Sequence, residues 1–283
     1  MGRNSQTIAA GLYVVATPIG NLGDITLRAL DVLRAADVIA CEDTRTSAKL
    51  LSHFGIKART ISYHDHNSEG KLPRLLADLE SGKTIALISD AGTPLISDPG
   101  YKLVKEATER GIKVFPVPGA SSMTAALSVC GLPTDCFLFT GFLPAKKVAR
   151  EKAIQELAAI PATLVCFESA RRLPESLEAL ATLLGQREAV IARELTKLHE
   201  ELRRGTLAEL ATYYAETGEP KGEVVVVIAP PLPPAAPSDT DVDKLLRKAL
   251  KNLSVKDAAA QVAKLTGLSR QEIYAKALYI KKE

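Results

Sequence analysis

A run of apolar and β-branched residues, Thr84–Ile88, stops abruptly at a stretch of small and turn-forming residues, 89–100. The run predicts a buried strand, and the stretch predicts a loop at its carboxyl end. Open α/β sheets bind their ligands at this end of the strands. Gly92 would let a ligand approach the loop backbone closely. The loop matches neither common nucleotide-binding glycine motif, so it is either a ligand site of another kind or an ordinary strand-to-helix connection.

The same order of strand, loop and helix recurs along the first half of the chain. We predict strands over 12–16, 38–41, around Ile61, 84–88 and 113–117. Such alternation implies a parallel sheet with right-handed crossovers, which places the loops together on one edge. We expect Asp24 to cap the first helix, and Asp98 with Pro99 to begin a helix over 99–110.

The pattern changes near residue 131, where we place a domain boundary. Strands are predicted over 137–140, 163–167, 189–192 and 224–228, with helices over 146–159 and 207–215. We therefore expect an α/β protein with two tandem α/β domains, 1–131 and 132–229. A proline-rich linker, 230–238, leads to a helical tail, 239–283.

The tail concentrates the positive charge of the chain. Residues 244–283 contain ten lysines and arginines against three aspartates and glutamates, a net charge of +7, whereas the whole chain carries +3 and residues 1–243 therefore −4. Ser254 and Ser269 are typical helix N-caps and Gly267 a typical helix end, so two short helices meet as in a helix-turn-helix. The tail is either a solvated helical surface or a nucleic-acid contact.

The composition is that of a soluble globular protein, with 46% hydrophobic and 24% charged residues. No run reaches the length of a membrane span, and no secretory signal opens the chain. The cysteines lie among apolar residues without a Cys-x-x-Cys pair, so we expect reduced core thiols in a cytoplasmic protein. They are Cys41, Cys130, Cys136 and Cys166.

Five segments carry a family resemblance because they occur together and in order. They are 16–26, 41–45, 89–100, 117–122 and 193–197. Together they resemble the tetrapyrrole methylase family of S-adenosylmethionine-dependent methyltransferases. Small-molecule members of that family usually carry a first loop of the type Gly-x-Gly-Pro-Gly-Asp. Here residues 17–24 read Thr-Pro-Ile-Gly-Asn-Leu-Gly-Asp, which favours the RNA-acting branch.

The resemblance implies a cleft between the two α/β domains that holds S-adenosylmethionine, commonly in a homodimer. By matching position, it implies cofactor contacts from Pro18, Gly20, Asp90, Ala91, Gly92, Thr93, Ile96, Ser121, Ser122, Phe167, Arg193 and Glu194. The implied substrate is the ribose 2′-oxygen of a cytidine in 16S rRNA, on the small ribosomal subunit.

A ribose hydroxyl is a poor nucleophile, so we expect a base or hydrogen-bond acceptor beside it. The candidates on the predicted edge are Glu42, Asp43, His64, Asp98 and Glu194. We favour Asp43 with His64 and Glu42, although an acid at this position is also typical of a helix start. For RNA phosphates we predict Arg45, Arg193, Lys264, Arg270 and Lys276. No metal site is predicted, because the pair of His64 and His66 has no evident third ligand.

Two other classes of function stay open on the sequence. A porphyrin or corrin methylase of the same fold would use the same cofactor, although the basic tail and the altered first loop argue against it. A ribosome-binding assembly factor would hold the cofactor without turnover.

Overall fold

The computed structural model describes residues 8–64, 68–232 and 239–282. The chain forms two compact units, Met1–Pro231 and Leu232–Glu283. The first unit contains two five-stranded sheets, and the second contains three helices.

The first sheet consists of parallel strands, as predicted. Its strands are β1 (Gly11–Val15), β2 (Val38–Cys41), β3 (Arg59–Ser62), β4 (Thr84–Ile88) and β5 (Val114–Val117). Their order is β3-β2-β4-β1-β5, and every pair is parallel. All five residues of β4 are buried, because helices cover a parallel sheet on both faces. The loops after β1 and β4 are therefore neighbours at the carboxyl edge.

Two of the helix starts predicted for the first half of the chain are wrong. The helices are α1 (Leu27–Ala35), α2 (Thr44–His53), α3 (Ser68–Glu80), α4 (Tyr101–Glu109) and α5 (Ser122–Cys130). Thr26, not Asp24, caps α1, since its side chain accepts from the Ala29 N–H. α4 begins after Gly100 rather than at Asp98 and Pro99. Leu95 and Ser97 have φ of 73° and 63°, so the chain is still in an irregular loop there.

The second sheet is mixed. Its strands are β6 (Phe137–Phe142), β7 (Thr163–Ser169), β8 (Glu188–Arg193), β9 (Glu201–Thr206) and β10 (Glu223–Ile228), in the order β6-β7-β10-β8-β9. Only β6 and β7 pair in parallel. The helices of this half are α6 (Lys147–Leu157), α7 (Leu173–Leu184) and α8 (Leu207–Thr217). The sequence did not predict β9 or α7.

The two sheets share one apolar core cluster. Ile19, Ala126 and Leu127 come from the first half and pack with residues of the second sheet. Those residues include Val165, Val190, Ala192, Val225 and Val227. The boundary predicted at 131/132 falls between α5 and β6, and its position stays a prediction.

The second unit has its own core. Its helices are α9 (Asp239–Ala249), α10 (Val255–Thr266) and α11 (Arg270–Lys282). The buried core residues are Val242, Leu246, Ala259, Val262, Ile273, Ala277 and Ile280. The Ser254 side chain caps α10, and Gly267 ends it with φ of 70°. Most of the predicted proline-rich linker, 233–238, lies outside the described residues.

One cysteine differs from expectation. Cys41, Cys130 and Cys166 are buried thiols, but Cys136 is exposed just before β6. In the segments that the structure describes, none of the helices is both long and apolar enough to cross a membrane. The same segments hold no cluster of three or more side chains suited to bind a metal ion.

Candidate functional site

A cavity of about 490 Å³ lies where the carboxyl edge of the first sheet faces the second sheet. This volume is in the range of small-molecule sites. The first half contributes Ile19, Glu42, residues 90–93, residues 96–98, Ser121 and Ser122. The second half contributes Phe142, residues 167–170, Ala192, Leu195 and residues 222–225. We call this cavity the cleft.

Backbone hydrogen bonds lock the two central loops of the cleft together. The Thr17 N–H donates to the Gly92 carbonyl at 2.8 Å, and the Gly92 N–H donates to the Thr17 carbonyl at 3.0 Å. The Thr17 hydroxyl donates to the Ser89 carbonyl at 3.2 Å. Gly92 has φ of 80°, and a Cβ there would lie 3.4 Å from Cγ2 of Ile19. The loop thus needs glycine for its conformation and exposes backbone, not a side chain, to the cleft.

The charge of the cleft lining is acidic. Its side chains include Glu42, Asp90, Asp98, Glu168 and Glu223, and no lysine, arginine or histidine is among the lining residues that the structure describes. A phosphate site needs N–H donors and positive charge, so this lining disfavours a phosphate ligand. It favours a ligand that carries positive charge.

Asp98 is the lining carboxylate best suited to a cationic ligand. Burial raises the pKa of Asp98, a hydrogen bond with Ser89 lowers it in part, and the nearby Asp90 raises it further. Within the described residues no lysine or arginine forms an ion pair with it. By contrast, the buried Glu168 pairs with Arg172 at 2.6 Å and accepts from Ser176 at 2.6 Å. Glu168 is therefore neutralised within the protein, whereas Asp98 is not.

The second half adds an aromatic wall. The ring of Phe167 lies 5.5 Å from that of Phe142 and 4.8 Å from that of Phe139, both edge to face. Phe142 is 55% exposed although it lines the cleft. An exposed aromatic ring inside a cavity offers a packing surface for a flat heterocycle.

The predicted cofactor residues divide into two groups. Asp90, Ala91, Gly92, Thr93, Ile96, Ser121, Ser122 and Phe167 line the cleft. Pro18, Gly20, Arg193 and Glu194 do not, although Ile19 between the first two does. The prediction did not include Ser97, Phe142, Glu168 or Glu223, which also line it. Ser97 lies in the predicted loop itself, next to Ile96. Phe142, Glu168 and Glu223 gave no signal in the sequence, because only the packing of the second half against the first brings them to the cleft.

The predicted catalytic residues also divide. Glu42 lines the cleft, whereas Asp43 and His64 do not. Asp43 is the N-cap of α2, and its carboxylate forms an ion pair with Arg45 at 2.8 Å. Hydrogen bonds from the Arg45 side chain and backbone lower the pKa of Asp43 to about 2. His64 follows β3 at the edge of the sheet, and Asp65 and His66 lie outside the described residues.

The predicted RNA-binding residues have different surroundings. Arg45 is 88% exposed at its side chain, and Lys264 and Arg270 are exposed in the second unit. The Lys276 ammonium instead lies 3.4 Å from Asp243 of the same unit. Arg193 pairs with Glu201 at 3.0 Å and donates to the Lys221 carbonyl at 3.0 Å.

Two facing sheets with an acidic cleft at the carboxyl edge of parallel strands define a two-sheet α/β protein with a small-molecule site. The sequence profile described as "Tetrapyrrole (Corrin/Porphyrin) Methylases" matches residues 11–211, and the one described as "RsmI C-terminal HTH domain" matches residues 236–281. The chain belongs to the tetrapyrrole methylase family.

Close relatives match over nearly the whole chain. The ribosomal RNA small subunit methyltransferase I of Mesorhizobium japonicum is 51% identical over 98% of this chain and 94% of its own length. The protein of that name from Escherichia coli O157:H7 is 47% identical over 94% of each chain. These are the proteins that this chain is similar to.

Solved structures share the fold at low identity. The uroporphyrin-III C-methyl transferase of Thermus thermophilus, complexed with S-adenyl homocysteine, has a TM-score of 0.54 and 20% identity, covering 77% of this chain and 97% of that one. A conserved hypothetical protein of Aeropyrum pernix K1 has a TM-score of 0.62 and 19% identity over 97% of each chain. At such identities the likeness shows the fold alone.

Proposed function

We propose that this protein is an S-adenosylmethionine-dependent methyltransferase that methylates the ribose 2′-oxygen of a cytidine in 16S rRNA, on the small ribosomal subunit. The observation that carries the substrate class is the identity of 45–51% to ribosomal RNA small subunit methyltransferases I. Membership of a methylase family supports the type of reaction. The altered first loop and the separate basic unit favour an RNA substrate over a porphyrin or corrin.

The chemistry of the cleft fits the cofactor. Bound S-adenosylmethionine supplies an activated methyl group together with its leaving group. Asp98 and Asp90 would meet its positive groups, because the lining offers them no cation of its own. Phe142 and Phe167 would pack against its ring, and the exposed backbone around Gly92 would hydrogen-bond to it.

The protein's own contribution to the reaction is orientation of the acceptor. Holding two reactants in line is worth roughly 7–11 kcal/mol of the barrier. Glu42, Asp43 and His64 stay our proposed catalytic group. Of these, only Glu42 lines the cleft, so we assign it the role of accepting the hydroxyl proton. Asp43 is a weak base because its pKa is lowered to about 2, so we assign it an orienting role.

For the RNA we propose phosphate contacts from Arg45, Lys264 and Arg270, whose side chains are exposed. Arg193 and Lys276 keep this role in the proposal, and these two, like Arg45 with Asp43, must first leave a carboxylate partner. A homodimer and a cytoplasmic location complete the proposal. Light scattering of the purified protein tests the dimer.

The test is methyl transfer from labelled cofactor to isolated small subunits, naked 16S rRNA and a porphyrin precursor, with the product mapped by nuclease digestion. We expect label on a cytidine ribose of small-subunit RNA. Label on the porphyrin precursor alone would establish a small-molecule methylase. Tight cofactor binding without transfer to any acceptor would establish a non-catalytic assembly factor.

A further inference from the structure

The loop after β8 meets the other half of the first unit at two residues, Leu195 in the shared apolar core and Lys197 beside Gly20. Lys197 follows Arg193 and Glu194 in a segment that the proposed function does not fully use. Its ammonium lies 2.7 Å from Glu194 Oε1 and 3.1 Å from Glu223 Oε2. Burial alone would lower the pKa of Lys197, but these two hydrogen bonds raise it above its ordinary value. Lys197 is therefore a fixed cation between two carboxylates.

The stem of Lys197 reaches the other half of the unit. It crosses directly over Gly20, in the loop after β1, where a Cβ would overlap Lys197 Cγ and lie 2.8 Å from Cε. Gly20 has φ of 156°. A side chain at residue 20 and the observed path of Lys197 exclude each other. The absence of a side chain at Gly20 thus makes room for a contact between the halves.

The segment that presents Lys197 holds two strained residues. Glu194 and Thr196 have φ of 50° and 65°, a region that residues other than glycine seldom adopt. The Glu223 N–H donates to Glu194 Oε1 at 2.9 Å, and the Lys197 N–H donates to the Glu194 carbonyl at 3.0 Å. Such strain persists only where surrounding contacts impose it, and it is concentrated at functional sites.

The two ends of this arrangement adjoin the cleft. Ile19, next to Gly20, lines the cleft, and so do Leu195 and Glu223 beside Lys197. The other end of the Gly20 loop is fixed at Thr17, which exchanges backbone hydrogen bonds with Gly92. One short segment, 17–20, therefore connects the proposed cofactor loop with Lys197, between the end of β8 and the start of β10. Lys197, Glu194 and Gly20 themselves do not line the cleft.

We propose that Lys197 is a positioning residue, which clamps the loop after β1 onto the end of β8 and the start of β10 and so fixes the separation of the two cleft walls for the acceptor ribose. This inference rests on the proposed function. The bulk of the contact between the halves is the shared apolar core, so the clamp is not needed for folding. Its role is alignment, where a displacement of about 1 Å can cost on the order of 100-fold in rate.

The test compares Lys197→Met, Lys197→Arg and the control Lys83→Met. Methionine keeps the apolar stem and removes the ammonium, while arginine keeps the charge. Lys83 forms an ion pair with Asp78 on the first half, away from the cleft. We expect Lys197→Met to lower the single-turnover rate on saturating small subunits by at least about tenfold, because the walls lose their fixed separation. We expect Lys197→Arg to restore most of that rate, and Lys83→Met to keep all of it.

Two further measurements separate alignment from binding and folding. Calorimetry should find cofactor affinity within about threefold of wild type for Lys197→Met, since the residue does not line the cleft. Hydrogen exchange should become faster at amides 20–25 and stay unchanged in β1. An unchanged transfer rate, unchanged exchange at 20–25, or a loss of affinity as large as the loss of rate would each overturn the clamp. Failure of the wild-type protein to methylate any RNA would instead overturn the proposed function.

Discussion

The ionised carboxylate of Asp98 lowers the stability of the folded protein when no ligand is bound. Its pKa is raised chiefly by burial, so the folded state binds the proton more tightly than the unfolded state does. For a group with a raised pKa, stability falls as the pH rises through that pKa. At neutral pH the ionised Asp98 therefore destabilises the empty protein. A positively charged ligand would reverse this effect.

We predict that Asp98→Asn weakens cofactor binding by at least about tenfold, while the empty variant melts no lower than wild type at pH 7. The physical reason is the same for both effects, since the variant loses a half-buried charge that only the ligand neutralises. Calorimetry measures the affinity, and calorimetric melting with and without cofactor measures the stability. The control is Asp135→Asn, which removes an exposed carboxylate from the connection between α5 and β6.

The two results together distinguish the role of Asp98 from a structural one. Full cofactor affinity in a stable Asp98→Asn protein would remove this carboxylate from the site. A fall in both affinity and melting temperature would show that Asp98 supports its loop rather than the ligand.

At the scale of one element, the start of α2 combines a cap with a proposed catalytic role. The Asp43 side chain accepts from the Arg45 N–H at 2.8 Å, and the Asp43 N–H donates to Asp90 Oδ1 at 3.1 Å. The side chain of Asp43 therefore caps the helix, and its backbone N–H links the start of the helix to Asp90 in the cleft lining. Asparagine caps helices as well as aspartate does, so Asp43→Asn removes the charge and keeps the cap.

We predict that Asp43→Asn keeps its cofactor affinity and melts only slightly below wild type at pH 7, because the lost carboxylate is solvent-exposed. Its single-turnover rate on small subunits should fall by at least about tenfold if the carboxylate orients the acceptor. Asp43→Ala serves as the comparison, because alanine loses the cap as well as the charge. A rate near that of wild type for Asp43→Asn would reduce Asp43 to a helix cap.

The pH dependence of the same residue has the opposite sign to that of Asp98. The pKa of Asp43 is lowered from 3.8 to about 2, mainly by hydrogen bonds from Arg45. The carboxylate thus stabilises the fold above pH 3.8 and loses that contribution as the pH falls toward 2. Acid unfolding followed by circular dichroism should show a slightly flatter loss of stability for Asp43→Asn, since the carboxylate is solvent-exposed.

Elements were predictable where the pattern is local. β2 and β4 match their predicted limits because apolar runs bounded by polar residues need no further information. The start of α4 was wrong because Asp98 and Pro99 make a good local N-terminus, yet the chain continues as a loop to Gly100. β9 was missed because Arg203 and Arg204 look like a solvated surface. In the fold Arg203 lies over the Tyr213 ring, and Arg204 donates to the Val129 carbonyl.

The part of the site that could be predicted lies in the loops of the first sheet whose sequences resemble the tetrapyrrole methylase family. Gly92 and its neighbours lie at the end of one strand and are marked by their own sequence. Phe142 and Glu223 lie on different strands of the second sheet, and only the packing of that sheet against the first brings them to the cleft. No periodicity in the sequence encodes that packing.

At the scale of the whole molecule, the second unit has an apolar core of its own. Its core consists of its own residues, including Val262 and Ile273, which lie on α10 and α11. Leu265 and Leu278 are 66% and 41% exposed. We predict that deletion of 232–283 leaves cofactor affinity unchanged, weakens binding to small-subunit RNA and flattens the salt dependence of that binding, because fewer counterions are released.

Filter binding at several salt concentrations measures the slope, and Lys264→Gln with Lys276→Gln makes a matched pair. Lys264→Gln should flatten the salt slope, because it removes an exposed charge. Lys276→Gln should change the slope less, because the Lys276 ammonium already pairs with Asp243. An unaltered salt slope in the folded, truncated protein would contradict the RNA contact. A lower melting temperature after truncation would indicate that the second unit packs on the first. A changed number of chains in the assembly would indicate a role in oligomerisation.

The shared core of the first unit can be completed only late in synthesis, because its residues are far apart in the chain. Ile19, Ala126 and Leu127 acquire the last of their apolar neighbours only when Val225 and Val227 have left the ribosome. At translation rates of about 5–20 residues per second, the completed first sheet waits on the order of 5–20 s with this patch uncovered. The nascent chain is most open to aggregation or chaperone capture in that interval. Neither half should therefore be soluble when it is expressed without the other.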